Sequence, residues 1–128
     1  MNFLNALYIF SIVYVSITIL SVWLLRKNRK TIYRGGGAVN LLEEFQNYGL
    51  SKNIMIGVGV CKVSLSILLL LGLRYSLLVL PSVFFLALFM LAAVFFHLKI
   101  KDPIIPTVPS LLLLFFCLVI ACLRMFYL

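Results

Sequence analysis

The chain reads as an all-α polytopic membrane protein, a bundle of four transmembrane helices with one short interfacial helix. Three observations carry this reading. Hydrophobic residues fill 65% of the 128 positions, far above the roughly 45–50% of soluble domains. The excess is gathered into four runs, Phe3 to Leu25, Ile54 to Leu73, Tyr75 to Phe96 and Ser110 to Leu128, each about the 20 residues that a helix needs to cross roughly 30 Å of hydrocarbon. The 11 basic and 3 acidic side chains lie mostly between the runs, which leaves a single membrane domain over residues 1–128.

The first run has no basic residue before it, a long apolar core, and "RKNRK" behind it where a cleavable leader would carry small residues, so it is expected to remain as a helix. The following connection, residues 26–53, is the longest. "GGG" at Gly35 to Gly37 ends any helix leaving the first span. Asn40 can then cap a short helix at about 41–48, with Glu43 placed to close a capping box. Leu41, Leu42, Phe45 and Tyr48 form its apolar arc, and Gly49 offers a left-handed stop. Such a helix should lie in the membrane interface.

Ser51 caps the second span, and "GLRY" turns the chain so tightly that spans two and three are antiparallel neighbours. Pro81 is expected to kink span three. In "HLKIKDPIIPTVPS" three prolines should hold off helix until Pro109 or Ser110 opens span four.

Basic residues concentrate on one side. Arg26, Lys27, Arg29, Lys30, Arg34 and Lys52 lie in or beside the first connection and Lys99 and Lys101 in the third, against Arg74 and Arg124 opposite. The bias of Lys and Arg toward the cytoplasm places both termini outside, in an inner-membrane setting of the bacterial kind, with the net charge of +8 directed to orientation and anionic lipid. No basic platform with aromatics accompanies it, so nucleic acid is not an expected partner. Cys61, Cys117 and Cys122 form no Cys-x-x-Cys pair and read as small apolar filler.

The polar groups inside the spans are few. Ser11, Tyr14, Thr18 and Ser21 share one face of the first helix. Lys62 stands in the middle of the second, beside a small-residue face of Gly57, Cys61 and Ser64. A central lysine costs roughly 2.5–3.5 kcal/mol to insert, so it must face the bundle interior. Counting along the helices brings Tyr14 and Lys62 to similar depth, where the hydroxyl face could shelter the ammonium. The chain has three carboxylates, Glu43, Glu44 and Asp102; Glu43 or Glu44 could turn toward the mouth of the bundle and form, with Lys62 and His97, a polar pocket. The candidate ligand-binding set is therefore Lys62, Tyr14, Thr18, Ser11, His97, Glu43 and Glu44. His97 has no second ligand at metal spacing, so no metal is expected, and a cation there also suits the helix C-terminus. No nucleophile–base set or phosphate loop is present.

From Glu44 to Leu123 the chain resembles the DoxX-like family of small four-span membrane proteins. The resemblance rests on "FQNYGLSKNIMIGVGVCKVSLSILLLLGLRY", "FMLAAVFFHLKIKDP" and the proline-led "PTVPSLLLLFF", with Lys62, Gly72, Ala92, His97 and Asp102 at the family's marked places. It implies an accessory or ligand-binding subunit with an intramembrane pocket around Lys62 that performs no chemistry alone and holds a lipid, a quinone or a partner helix. It also implies, as an alternative, the quinone-interacting subunit of a membrane oxidoreductase of the thiosulfate:quinone type, working with a soluble redox partner. Partners by this reading are membrane lipids and another membrane protein, and a homo-oligomer is compatible with it. A small transporter would fit the span count but lacks the central carboxylate expected of a proton-coupled exporter of cations.

Overall fold

The computed structural model describes residues 2–128. Helix α1 (Phe3–Leu20) begins at Asn2, whose side chain accepts from the Asn5 N–H, and runs on into a π-helical turn, Ser21–Leu25. The short α2 (Leu41–Asn47) follows the first connection, then α3 (Lys52–Leu71), α4 (Val79–Lys99, preceded by a 3-10 turn at Ser76–Leu78) and α5 (Ile104–Phe126). No strand occurs among the described residues. Four of the helical segments are long and apolar enough to cross a membrane. α1 packs on α3 and α5, and α4 packs on the same two, so α1 and α4 take opposite corners of a four-helix ring.

Inside lipid, apolar side chains gain nothing by meeting one another, and bundles rely on close packing and small polar residues between helices. The interior follows that rule. Ile12, Val15 and Ile19 of α1 meet Leu69 of α3, Val79, Val83 and Leu86 of α4, and Leu113 and Ile120 of α5, while Ser11, Ser16, Ser66, Ser82 and Ser110 are buried between them. The outward faces carry Phe84, Phe85, Phe95, Phe115 and Leu118, as lipid-facing surfaces should.

Two expectations about proline are corrected. Pro81 lies in the first turn of α4, where an amide has no intrahelical partner, so the expected kink has no cause. α5 begins at Ile104, six residues before Ser110. Pro103 is its cap and Pro106 falls in the first turn, both positions where proline displaces no bond. Only Pro109 lies deeper; it deprives the Ile105 carbonyl of its helical donor. Thr107 Oγ donates to the Pro103 carbonyl at 3.3 Å and steadies the start.

The end of the bundle that carries the connections 26–51 and 100–103 is closed by α2. Asn40 caps it by accepting from the Glu43 N–H at 2.8 Å, and the Leu41 N–H reaches back to the Lys27 carbonyl at 2.8 Å. It stops in a paired C-cap, Gly49 N–H to Gln46 O and Leu50 N–H to Phe45 O, with Gly49 at φ +83°, the left-handed conformation this motif requires. Its apolar arc, Leu41, Phe45 and Tyr48, is buried, so α2 is a plug across the end of the bundle more than a float on the interface.

One close approach sets the inner geometry. The Trp23 ring lies against the backbone of Gly59, where an added Cβ would come within 2.7 Å of two ring carbons. Overpacking of this kind costs about 1–3 kcal/mol. Gly59→Val is therefore expected to lower the melting temperature in detergent and to shift the emission of Trp23, the one tryptophan of the chain. An unchanged emission spectrum would show that the ring does not rest there.

Candidate functional site

Behind the plug lies a cavity of about 520 Å³ enclosed by all five helices, within the roughly 300–1,000 Å³ range of small-molecule sites. Its walls are aromatic and aliphatic: Tyr14, Trp23, Phe45, Phe89, Met90, Phe96 and Leu113 among others. Its charged lining comprises Lys62, Arg26, Arg34 and Glu44, with His97 and Tyr48 beside them.

The wall at Trp23 depends on the π turn. There the Arg26 N–H bonds to the Ser21 carbonyl at 2.9 Å, one residue further back than in an α-helix, a widening often found at functional sites. Trp23 is thereby buried, edge-on to Phe45 with centroids 5.8 Å apart. Lys62, half-buried on α3 about 15 Å along the helix from Lys52, sets its ammonium 5.5 Å from the Trp23 ring centre and 6.0 Å from that of Phe89. A cation over a ring gains about 0.5–2 kcal/mol, comparable to the roughly 2.5–3.5 kcal/mol that a central lysine costs. Those contacts offset the charge without engaging its N–H donors. No carboxylate pairs with Lys62 among the described residues.

The floor is a chain of hydrogen bonds. α4 ends in a paired C-cap, Lys101 N–H to Leu98 O and Asp102 N–H to His97 O at 2.9 Å, and this motif brings the residue five positions on back over the helix. Where an apolar pair usually meets, here Asp102 Oδ2 meets His97 Nδ1 at 2.6 Å. A carboxylate only accepts, so Nδ1 carries the proton. Asp102 Oδ1 accepts from the Gly36 N–H at 2.9 Å, and Gly36 makes itself available at φ +66°, where a side chain would be strained. On the other side of the imidazole, Nε2 lies 3.3 Å from the Tyr48 hydroxyl, which donates to Glu44 Oε1 at 2.8 Å. Burial, reinforced by the neighbouring Glu44 carboxylate, pushes the Tyr48 phenol well above its ordinary range, so it stays a donor. Glu44 Oε2 faces Arg34 at 3.6 Å. Arg34 donates in turn to the carbonyls of Arg26 at 2.5 Å and Arg29 at 3.2 Å, which closes the end of the first span.

Of the residues singled out from sequence, Lys62, Tyr14, Thr18, His97 and Glu44 line this one cavity. Two do not. Ser11 is buried elsewhere on α1 and donates to the Leu7 carbonyl at 2.7 Å, bonding its own helix. Glu43 offers its backbone N–H to the Asn40 cap and, unlike its neighbour Glu44, is off the cavity wall. The shelter of Lys62 also differs from expectation: aromatic faces flank the ammonium, while Tyr14 packs on Phe10 and Phe116 with centroids 5.9 and 4.9 Å away.

Sequence reasoning missed Trp23, Tyr48, Arg34 and Asp102 as parts of the site. A signal existed for Asp102: a residue five positions after a helical histidine, followed by proline, is where a C-cap returns to its helix. For Trp23 the only hint was Gly59, one turn before Lys62. Arg34 looked like any other basic residue of its loop.

Residues 31–120 match the family model described as DoxX-like family, a stretch that contains Arg34, Glu44, Tyr48, Lys62, His97 and Asp102. No curated protein and no solved structure matches the chain.

Asp102→Ala leaves the buried His97 Nδ1–H without its acceptor, at a cost of about 1–3 kcal/mol, and releases the exposed Gly36 N–H from the third connection. A clear drop in thermal stability in detergent is expected; a shift within error would show the floor to be dispensable. Lys101 has the left-handed φ of +57°, which costs a side chain roughly 1–2 kcal/mol. Lys101→Gly should accordingly raise stability by about 1 kcal/mol, measured by the same melts.

Proposed function

The chain belongs to the DoxX-like family, and from that premise we propose that this integral membrane protein is a ligand-binding or accessory subunit, holding an amphipathic molecule in the cavity around Lys62 and performing no chemistry of its own. The observation that carries the reading is an ammonium whose donors are free, set between two aromatic rings in a cavity of ligand size. Aromatic and aliphatic walls suit the apolar body of such a molecule, and Lys62 suits an oxygen on its polar end. Access from the bilayer is supported by Ile54 and Leu112, which line the cavity and are 46% and 42% exposed. The charge bias of the connections supports an orientation with both termini outside and the plug on the cytoplasmic side.

A second reading, the quinone-holding subunit of a membrane oxidoreductase, is favoured by one feature: the Lys62 ammonium stands in an aromatic cavity with N–H donors that suit a quinone carbonyl. Quinone recovered in stoichiometric amount from purified protein would favour it over a lipid-type occupant.

Trp23 supplies the reporter for the main reading. Titrating the detergent-purified protein with a single-chain amphiphile brominated along its chain should quench Trp23 fluorescence saturably. Lys62→Met removes a hydrogen bond from a charged donor, about 1.5–3 kcal/mol, and should weaken binding roughly 10-fold or more. Quenching that rises linearly, with no plateau and no difference between wild type and variant, would sink the proposal.

A further inference from the structure

The charges around the cavity do not balance, and the imbalance names the ligand's head group. Among the described residues that line it, Glu44 is the one carboxylate, and it is already engaged by Arg34 at 3.6 Å and by the Tyr48 hydroxyl at 2.8 Å. Asp102, behind the floor, is taken up by His97 and the Gly36 amide. Glu43 is off the wall. Two cations on the lining are left without an anion, Lys62 on its aromatic seat and Arg26 at the end of the π turn. Arg26 is the more telling of the two. A guanidinium does not shed its proton in proteins, and its Nε is buried with no hydrogen-bond partner.

A buried donor on a permanent cation is costly unless an anion or strong acceptor meets it. Arg26 comes three residues after Trp23 and lines the same cavity, and Lys62 lies over the Trp23 ring, so both cations face the cavity that Trp23 walls. From Arg26 to Tyr14, the far end of the cavity on α1, the run is about 18 Å, and that stretch is apolar apart from hydroxyls. We propose that the occupant is a single-chain amphiphile with an oxyanion head, its carboxylate or phosphate held between Lys62 and Arg26 and its chain laid toward Tyr14. This rests on the ligand-binding reading above and adds the charge class and the second anchoring residue.

The test uses the wild-type protein and Trp23 quenching, with brominated chains of one length ending in carboxylate, phosphate monoester or alcohol. The two anionic heads are expected to saturate at a concentration at least about 10-fold below the alcohol, and inorganic phosphate or acetate in excess should displace them poorly, since the chain supplies much of the binding. Arg26→Gln should bring the acid-to-alcohol ratio toward one; Arg26→Lys, which keeps the charge, should restore part of the preference. Equal affinity for all three heads in the wild type would overturn the oxyanion proposal and leave ligand binding standing. An Arg26→Gln variant with the full preference would overturn the assignment of Arg26. Displacement by inorganic phosphate alone at low concentration would show a free anion to be the occupant, and absence of saturable quenching by any chain would overturn both readings together.

Discussion

The closed end of the bundle depends on Asp102 folding back onto His97. That contact is local in origin, the product of a C-cap in which Lys101 takes a left-handed conformation and the next residue returns to the last full turn of the helix. Its reach is long. The other oxygen of Asp102 takes the amide of Gly36, and the other edge of His97 faces the tyrosine that ends α2. One carboxylate thus binds the third connection to the first and presses the plug against α4, where Tyr48 stacks on Phe96 at 5.4 Å. Without it, α2 would keep its apolar arc, the Leu41 amide, the Asn47 side chain on the Gly35 carbonyl and the Glu44–Arg34 pair, none of which reaches the third connection.

Two polar systems meet in the cavity, and they differ in kind. The floor, from Arg34 through Glu44, Tyr48 and His97 to Asp102, is joined end to end by short polar contacts. Networks of this sort rigidify when complete, which suits a structural closure. Lys62 and Arg26 belong to no such chain. Lys62 is flanked by aromatic faces, which reduce the cost of a cation without consuming its hydrogen bonds, and the buried Arg26 Nε meets no acceptor. A completed floor beside an incomplete wall is the arrangement expected where a protein completes itself with something from outside.

Much of the architecture was legible because the bilayer leaves few options. Runs of about 20 apolar residues can only be spanning helices, and the Asn40 cap, the Gly49 stop and the arc of Leu41, Phe45 and Tyr48 are local signals that α2 obeys. Proline was misjudged at Pro81 and Pro106 because its effect depends on position within a turn, and helix starts are hard to fix by composition. The site was half legible. Intramembrane charge pointed to Lys62; Tyr14 lines the same cavity, but packs on Phe10 and Phe116 where the depth count had set it against the ammonium. The partners of the floor were hidden because they meet across long stretches of sequence, and the π turn that aims Trp23 leaves no mark in residue type. Ser11 was drawn in by helical spacing, yet a hydroxyl can as easily bond the preceding turn of its own helix.

The bond between Gly36 and Asp102 spans 66 positions, and this has a bearing on how the molecule is made. As the chain emerges from the ribosome, α1, the plug and α3 exist before the floor's last member has been synthesised. Lys62 reaches the bilayer with Trp23 available but Phe89 still to come. The loop amide, the tyrosine and the imidazole can be locked together only once the third connection has appeared. Maturation of the cavity is therefore a late step of assembly, and a nascent chain arrested before Asp102 would present its basic end open.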